Sequence, residues 1–375
     1  MTSNIQAVIL SAGEGTRLRP LTKNRPKAML PVTNRPILEH VLNSVVAAGI
    51  RDITVVVGYK KEQVMTFLNT YPVPVRVVVQ DKQLGTAHAL SMAKEHIHTK
   101  TLVLPGDNYI DAESLRMIID KENAVLVAPH PCPTNFGVIS RNDGVLTGIV
   151  EKPIDVMPGS LVSCGIGIFT PEFFAKIREL SVPESLQNRI NEGMIFSVVL
   201  ANDWQDAIYP KDLLTINKNL LKQVKEKISG TVEKNAIIQG HVSIGKKSWI
   251  GPGAVILGPV VIGEESRIGS HVCIGPNSSI GSRVTIEPFT YIENSIIMND
   301  CVIGSHSRVV DTVLGEGCVC SDHLSTVSGE FGAVCGDRVT IGPFTIIKDG
   351  VIGNNAVIQG GKILEKEIPD NTLVI

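Results

Sequence analysis

The chain has 375 residues, more than a single hydrophobic core usually organises, so we expect two domains. Hydrophobic residues make up 43% of it and charged residues 19%. The hydrophobic fraction is sufficient for packed cores, and the low charged fraction excludes a disordered polyelectrolyte. Lysine plus arginine number 35 and aspartate plus glutamate 37, giving a net charge of −2. That balance indicates neither a nucleic acid nor an anionic membrane as a partner.

The seven cysteines are scattered, and only Cys318 and Cys320 lie close together, with no second pair at a zinc-like spacing. This pattern favours buried thiols in a reducing compartment. The N-terminus lacks the basic start of a signal peptide, and no apolar stretch approaches the ~20 residues of a membrane helix. We therefore expect a soluble, cytoplasmic protein.

Up to about residue 225, short apolar runs alternate with helical patterns, as in an α/β domain. The alternation predicts a Rossmann-like, largely parallel sheet covered on both faces. Predicted strands are 7–10, 53–57, 75–79 and 101–104, and predicted helices are 36–48, one through Val64 and Leu68, and one beginning at Thr86. Ligands bind beyond the carboxyl ends of such strands, where Gly13, Gln80 and Asp107 would share one crevice.

The glycine loop after the first strand contains Gly13 and Gly15. It is not a Walker A loop, because no Gly-Lys-Ser/Thr follows at the right distance, and it is a poor dinucleotide fingerprint, because Leu18 replaces the third glycine. Backbone amides in such a loop form an anion-binding nest, and Arg17 and Lys27 add fixed positive charge. Together they suit a triphosphate whose bridging oxygens gain charge as pyrophosphate leaves.

The second half follows a different pattern. A period of six is typical of a β-helix in which each hexad forms one side of a triangular coil. We expect the isoleucines to point inward, glycines to form the corners, residues 321–335 to loop out, and a helix over about 213–228 to join domains 1–228 and 229–375. Isoleucine stands at every sixth position from Ile238 through Ile244, Ile250, Ile256, Ile262, Ile268, Ile274, Ile280 and Ile286 to Ile292.

The glycine loop belongs to a longer motif that closely resembles the signature of the sugar-1-phosphate nucleotidylyltransferases: Leu10-Ser11-Ala12-Gly13-Glu14-Gly15-Thr16-Arg17-Leu18, then Pro26-Lys27. The resemblance implies an α/β catalytic domain followed by a left-handed parallel β-helix. It implies catalytic roles for Arg17, Lys27 and Asp107, and an Mg²⁺ site at Asp107 and Asp206. The implied nucleotide-binding residues are Leu10, Ala12, Gly13, Gly15, Thr16, Gln80, Gly85 and Thr86. The implied sugar-binding residues are Gly137, Glu151, Lys152 and Ser163.

These roles agree with the chemistry of the residue types. Two carboxylates can hold a hard cation against phosphate oxygens. The sugar phosphate, already an anion, attacks the α-phosphorus in line and pyrophosphate departs, so no protein nucleophile is needed. The resemblance also bears on the substrates: Asn108 after Asp107, and Ser163 where enzymes for N-acetylglucosamine 1-phosphate often carry asparagine, both favour glucose 1-phosphate with dTTP or UTP.

Three hypotheses remain for the β-helix: an acetyltransferase, a regulatory module, or a trimerisation scaffold. In similar bifunctional enzymes, which acetylate glucosamine 1-phosphate, a histidine base follows a run like Ser295-Ile296-Ile297-Met298. That histidine aligns with Ser305, and His306 comes one residue late, which would place it on the opposite face of a strand. We therefore expect a surface His306 and a homotrimer held by residues 229–375. A non-catalytic regulatory subunit is a further alternative, which intact Arg17, Lys27 and Asp107 disfavour.

Overall fold

A computed structural model of the chain describes residues 5–175 and 177–375. The described residues form two compact units. The α/β unit comprises the residues up to Glu14, Pro26–Met29 and Ile37–Asp206. The β-helix unit comprises Gly15–Arg25, Leu30–Pro36 and Ala207–Ile375. Two short segments of the N-terminal half therefore cluster with the β-helix, which no sequence pattern predicted.

The α/β unit is built on a nine-stranded sheet of order β3-β2-β1-β4-β9-β6-β10-β8-β7. Strands β1 to β4 are parallel, as predicted, because helices connect them. The sheet then becomes mixed, since β9 runs antiparallel to both β4 and β6. The strands are β1 Ile5–Ser11, β2 Asp52–Val57, β3 Arg76–Val79, β4 Lys100–Pro105, β5 Asn108–Ile110, β6 Ala124–Pro129, β7 Gly137–Asn142, β8 Val145–Glu151, β9 Leu161–Phe169, β10 Ser197–Leu200 and β11 Trp204–Asp206.

Helices cover this sheet with their apolar faces. In α1 the residues at helical spacing, such as Leu38, Val41 and Leu42, are fully buried. No helix of the described residues is long and apolar enough to cross a membrane. The helices are α1 Ile37–Ala47, α2 Lys61–Thr70, α3 Thr86–Met92, α4 Ala112–Ile119, α5 Pro171–Ala175, α6 Val182–Asn191 and α7 Asp212–Leu221, and the short 3₁₀ turns are Thr16–Leu18, Lys27–Met29, Lys94–His96 and Pro133–Asn135.

Residues beyond 226 form a left-handed β-helix of three parallel sheets. The first contains Lys227–Ile228, Val242–Ile244, Val260–Ile262, Ser278–Ile280, Ile296–Ile297, Val313–Leu314, Ala333–Cys335 and Gly350–Ile352. The second contains Thr231–Val232, Trp249–Ile250, Arg267–Ile268, Thr285–Ile286, Val302–Ile303, Val319–Cys320, Thr340–Ile341, Val357–Ile358 and Leu373–Val374. The third contains Ile237–Gln239, Val255–Leu257, Cys273–Ile274, Tyr291–Glu293, Arg308–Val310, Ser325–Val327, Ile346–Lys348 and Ile363–Leu364. A two-stranded hairpin, Pro31–Val32 with Arg35–Pro36, belongs to the same unit.

The isoleucines of the hexads line the interior, as the sequence predicted. From Ile244 to Ile292 each is 0–1% exposed, and Ile238 packs partly buried at the end of the stack. All seven cysteines are free thiols, and Cys301, Cys318, Cys320 and Cys335 are buried in the same core. Burial raises the pKa of the Cys335 thiol to about 12, so that thiol stays protonated and acts as a small apolar side chain.

The prediction that glycines form the corners holds for only some of them. The left-handed backbone at the corners is found at Gly253 (φ 70°) but also at other residues, including Lys247 (φ 59°) and Arg283 (φ 55°). The hexad glycines are needed because coils approach closely: a Cβ on Gly245 would lie 2.5 Å from Gly263 in the next coil. Glycine here solves a packing problem and not a dihedral one.

The number of residues per coil explains why the six-residue repeat of isoleucine ends at Ile292. Stacked residues are 18 apart in the first coils, as in Ser248 and Ser266, and 17 apart after Ile292, as in Ser295 and Thr312. The spacing is 21 across the coil that contains residues 321–335, as in Val313 and Val334. The segment 321–335 does not loop out as a whole. Ser325–Val327 is a regular strand of the third sheet, and Ala333–Cys335 is a strand of the first sheet. The predicted joining helix ends at Leu221, and Lys227–Ile228 already pairs with the β-helix.

The buried amide of Asn217 on α7 joins three parts of the β-helix unit. Its Oδ1 accepts the Thr33 N–H at 2.8 Å and the Ser279 hydroxyl at 2.6 Å. Its Nδ2 donates to the carbonyl of Asn277 at 3.0 Å. A single fully buried side chain thus satisfies three polar groups.

Asn217→Ala is expected to lower the free energy of unfolding by about 2–4 kcal/mol, because three partners lose their hydrogen bonds. Urea denaturation at pH 7 measures the change. Thr215→Ala, on the exposed side of the same helix, is the control and should stay within about 0.5 kcal/mol of the unmodified chain. Equal losses in both variants would contradict the role of Asn217.

One corner of the β-helix carries a column of stacked rings. His271, Phe289, His306, His323 and Phe344 lie one above another, with ring centroids 4.6–5.3 Å apart. Each of the five has a positive φ. His306 is exposed, as predicted, but its position is a left-handed corner and not a strand face.

Candidate active site

The carboxyl ends of β1 and β4 lie side by side, which brings the glycine loop next to Asp107. Leu10 of β1 pairs with Pro105 of β4, and the Gly106 N–H donates to the Leu10 carbonyl at 2.9 Å. A Cβ on Gly106 would lie 1.9 Å from the Ser11 hydroxyl, so a larger residue here would displace the Ser11 side chain. The loop and the aspartate therefore share the edge that the sequence predicted.

A two-stranded ribbon brings Asp206 to Asp107. Strand β11 pairs antiparallel with β5, and Asp206 lies opposite Asn108, the residue after Asp107. The segment before β11 is fixed to the start of α4, where the Asp203 N–H donates to the Asp111 carboxylate at 3.2 Å. Two carboxylates that are far apart in sequence thus meet on adjacent, rigid backbone.

The Lys27 ammonium lies between these two carboxylates. Its Nζ is 3.1 Å from Asp107 Oδ2 and 2.8 Å from Asp206 Oδ1. Burial alone would lower the pKa of Lys27, but the charges and hydrogen bonds of Asp107 and Asp206 outweigh it and raise the pKa above its usual value. Lys27 is therefore a permanent cation at the centre of the site.

The carboxylate pair has the donor chemistry that a hard divalent cation requires. Both groups are oxygen donors within 3.1 Å of one common nitrogen, so both reach a single point. The described part of the chain has no group of three or more His, Cys, Asp or Glu side chains that could hold a metal. A cation with two protein ligands fits Mg²⁺, which usually keeps waters and binds substrate phosphates as well.

The glycine loop is divided between the two units. Leu10, Ala12 and the exposed Gly13 belong to the α/β unit. We call Gly15–Arg25 the signature segment; it belongs to the β-helix unit. Gly15 has φ 70°, a conformation that favours glycine, and begins a 3₁₀ turn that leaves Thr16 and Arg17 exposed.

The predicted base-reading residues meet at the start of α3. Gln80 is 3% exposed, and its Nε2 donates to the Gly85 carbonyl at 3.2 Å and lies 2.8 Å from His88 Nδ1. Gly85 has φ 126°, and a Cβ there would lie 2.1 Å from the Leu180 carbonyl. The Thr86 hydroxyl accepts the Val182 N–H at 3.1 Å. The loop before α3 is thus held by the loop before α6.

Gln83 is a candidate that the sequence analysis missed. Its Nε2 donates to the Ala12 carbonyl at 2.8 Å, which links the segment before α3 to the glycine loop. Its side chain is otherwise exposed. The sequence feature that could have identified Gln83 is its position immediately before Leu84-Gly85-Thr86. A polar side chain next to a predicted ligand-binding loop can contact the bound ligand.

Glu179 stabilises the loop that holds Gly85. Burial alone would raise the pKa of this carboxyl, but hydrogen bonds from Asn188, from backbone amides and from Ser185 lower it to about 2. Because the folded pKa is lowered, the carboxylate contributes stability above the ordinary pKa of 4.5 and loses it as the pH falls towards 2.

Glu179→Gln is therefore expected to reduce the free energy of unfolding by about 1–2 kcal/mol at pH 7 and by much less at pH 3. Urea denaturation at the two pH values measures both differences. Glu184→Gln, an exposed position in the first turn of α6, should show no such dependence on pH. A loss that is the same at pH 7 and pH 3 would refute the contribution of the ionised carboxylate.

Three of the four predicted sugar-binding residues come together on β7, β8 and β9. Glu151 pairs with Gly137, and Val162, next to Ser163, pairs with Val138. A Cβ on Gly137 would lie 3.3 Å from Glu151 Oε1. The fourth, Lys152, follows directly, with its N–H donated to the Phe136 carbonyl at 2.9 Å. Beside these residues, the rings of His130, Phe136 and Trp204 form an edge-to-face cluster.

The sugar-binding strands adjoin the carboxylate site. The Asn108 Nδ2 donates to the Cys164 carbonyl, one residue after Ser163, at 3.4 Å. Burial, and to a smaller extent the charge of Asp206, raise the pKa of the Cys164 thiol well above its usual value. The α/β unit therefore places the carboxylate pair, Lys27 and the predicted sugar residues in one region.

This arrangement can be compared with known proteins. Residues 6–223 match the nucleotidyl transferase family, which covers more than half of the chain. The chain belongs to this family. Residues 256–368 match the family described as the GMPPB C-terminal domain. Nucleotidyl transferases of this kind generally depend on a divalent metal, which agrees with the paired carboxylates.

Relatives of this nucleotidyl transferase carry several names. The bifunctional protein GlmU of Methanococcus vannielii is 31% identical over 99% of this chain and 97% of its own length. A glucose-1-phosphate thymidylyltransferase of Streptomyces antibioticus is 29% identical over 70% of this chain and 79% of its own. The chain is an enzyme of sugar-nucleotide synthesis, acting on a nucleoside triphosphate and a sugar phosphate.

A solved structure from Bacillus anthracis has the same fold. It is described as a glucose-1-phosphate thymidylyltransferase in complex with sucrose. It aligns with a TM-score of 0.53 and 24% identity over 60% of this chain and 98% of its own. At that identity the likeness bears on the fold and not on the substrate.

Proposed function

We propose that this nucleotidyl transferase joins dTTP or UTP to glucose 1-phosphate and releases pyrophosphate, with Mg²⁺ held by Asp107 and Asp206. The observation that carries the proposal is the position of Lys27, which lies within 3.1 Å of both carboxylates. A fixed cation and a divalent-cation site at one point suit a reaction in which phosphate oxygens gain charge. Bound Mg²⁺ would neutralise that charge on the triphosphate.

The chain's own residues orient the two substrates. Amides of the glycine loop from Gly13 to Thr16 and the Arg17 guanidinium bind the triphosphate, and Lys27 adds a second cation. Gln80, Gly85 and Thr86 hold the base. Gly137, Glu151, Lys152 and Ser163 bind the sugar, whose phosphate oxygen attacks the α-phosphorus in line.

The choice of sugar rests on Asn108 and Ser163. The hydrogen bond from Asn108 to the Cys164 carbonyl supports treating them as one determinant, because the two residues are neighbours across β5 and β9. Ser163 Oγ accepts the Gly165 N–H at 3.1 Å, so its hydroxyl is oriented by the strand. A serine there offers a shorter polar group than asparagine, which suits a sugar without an N-acetyl substituent.

Pyrophosphate release in Mg²⁺, with dTTP, UTP and other triphosphates against a panel of sugar 1-phosphates, tests the proposal. The highest kcat/KM is expected with glucose 1-phosphate and dTTP or UTP. A clear preference for N-acetylglucosamine 1-phosphate would overturn the choice of sugar. Absence of pyrophosphate across the panel would favour a non-catalytic regulatory subunit.

For the second domain we propose assembly, with nucleotidyl transfer in residues 1–228 and a homotrimer formed by residues 229–375. Light scattering of the purified protein measures the mass directly, and a monomer at micromolar concentration would refute the trimer. A cytoplasmic location stays a prediction, supported by seven free thiols.

A second candidate is a bifunctional enzyme that also acetylates glucosamine 1-phosphate. It is favoured by the relative named bifunctional, which matches 99% of this chain. The position of His306 disfavours it, because the histidine base of such enzymes aligns with Ser305, and His306 lies one residue later at a left-handed corner. Acetyl-CoA with glucosamine 1-phosphate is expected to yield no free CoA, and CoA release would decide for the bifunctional enzyme.

A further inference from the structure

The signature segment is tied to one corner of the β-helix by ionic and amide contacts. Arg25 Nη2 lies 2.8 Å from Asp337 Oδ1 and 3.0 Å from Glu316 Oε2. Asn24 Nδ2 donates to Asp337 Oδ2 at 3.0 Å and to Asn354 Oδ1 at 3.1 Å. All of these residues belong to the β-helix unit. The guanidinium of Arg25 is therefore engaged by carboxylates and is not a phosphate-binding group.

The contacts with Asp337 and Asn354 are buried, which makes them costly to break. Asp337 is 4% exposed and Asn354 is 3% exposed. The Asn354 Nδ2 also donates to the Pro20 carbonyl at 3.2 Å, so the corner holds both ends of the stretch from Pro20 to Arg25. A buried charge deprived of its partner is more unfavourable than an exposed one, so the pair resists opening.

The same stretch fixes the turn that carries Arg17. The Thr22 hydroxyl donates to the Gly15 carbonyl at 2.8 Å. Leu18 and Leu21, on either side of Pro20, are each 1% exposed. Arg17 is exposed and lies in the turn that these groups define. Its backbone position therefore depends on contacts that end at Asp337 and Asn354.

We propose that Asp337 and Asn354 are positioning residues for nucleotidyl transfer: they hold the signature segment so that Arg17 is presented to the triphosphate. The proposal rests on the proposed function of Arg17. It gives the β-helix a part in the reaction in addition to assembly.

The corner allows the charge of Asp337 to be removed without removing its local structural role. Along one column of corners, a side-chain oxygen accepts the backbone N–H of the preceding coil. Asp337 accepts the Glu316 N–H at 2.9 Å, and Asn354 accepts the Asp337 N–H at 2.8 Å in the same way. Since asparagine already fills this role, Asp337→Asn keeps the backbone hydrogen bond but loses the ion pair with Arg25 and the oxygen that accepts from Asn24, so both contacts with the signature segment are weakened.

Asp322→Asn is a matched control. Asp322 Oδ1 accepts the Ser305 N–H at 2.7 Å, the same type of contact at another corner. Hydrogen exchange of the free protein, followed by mass spectrometry, measures the opening of residues 15–25. Exchange is expected to be about tenfold faster or more in Asp337→Asn than in the unmodified chain or Asp322→Asn. Unchanged exchange would overturn the proposal, and because no substrate is present, this outcome is independent of the proposed reaction.

Kinetics of pyrophosphate release then separate positioning from general stability. Asp337→Asn is expected to raise KM for the triphosphate or lower kcat about tenfold, with KM for the sugar phosphate unchanged. Arg25→Gln should act in the same direction, and the double variant should lose less than the sum of the two single losses, because both substitutions remove the Arg25–Asp337 ion pair. Additive losses, or faster exchange with unaltered kinetics, would refute a positioning role.

Discussion

Asp107→Asn is expected to lower kcat by about 10³-fold while leaving the fold intact, because the amide cannot supply the negative charge that a divalent cation needs. The side chain keeps its size, and Lys27 keeps its 2.8 Å contact with Asp206. Initial rates of pyrophosphate release at saturating substrates measure the loss. Thermal unfolding of the same preparation reports on the fold.

Asp120→Asn, at the exposed C-terminal end of α4, is the matched control, since it removes the same charge from the same unit. Its kcat should remain within about twofold of the unmodified chain. If Asp107→Asn retained more than about a tenth of the activity, Asp107 would not be a metal-binding residue of this reaction.

Lys27→Met is expected to have two effects that arise from one contact. The rate should fall about 10²- to 10³-fold, because a fixed cation at the developing charge is lost. The metal-free protein should also lose about 1–3 kcal/mol, because Asp107 and Asp206 would then repel each other across a partly buried site. Added Mg²⁺ should restore part of that stability, since it replaces the missing positive charge between the carboxylates.

Thermal unfolding with EDTA and with millimolar Mg²⁺ measures the second effect independently of activity. We expect the Tm of Lys27→Met to rise more with Mg²⁺ than that of the unmodified chain. Lys61→Met removes an exposed lysine that pairs with Asp81 at 3.4 Å, and its response to Mg²⁺ should match the unmodified chain. A Tm of Lys27→Met insensitive to Mg²⁺ would argue against a cation site at the two carboxylates.

The β-helix could be predicted from the sequence because its rule is local. Each inward isoleucine repeats after six residues, and the buried positions from Ile244 to Ile292 follow directly. The corners could not be predicted in the same way. Their left-handed residues differ in type from corner to corner, as Lys247 and Phe289 show, and the need for Gly245 arises from a neighbouring coil.

The candidate site was predicted residue by residue, but its geometry was not. Nothing local in the sequence indicates that Asp206 returns beside Asn108, because the pairing of β11 with β5 joins distant segments. The ion pairs of Arg25 were also missed, because their partners Glu316 and Asp337 lie 291 and 312 residues further along the chain. Both cases depend on long-range contacts, for which a short sequence window carries no signal.

The contacts of the signature segment also bear on how the protein is made. Arg25 and Asp337 are 312 residues apart. At about 5–20 residues per second, ribosomes need roughly 15–60 s to synthesise the stretch between them. In the later part of that interval, once Asp206 has been added, the nascent chain contains all of the α/β unit but not the corner that holds the signature segment. On our proposal, catalytic competence arises only when the last coils are complete, so premature termination within the β-helix leaves the signature segment unanchored.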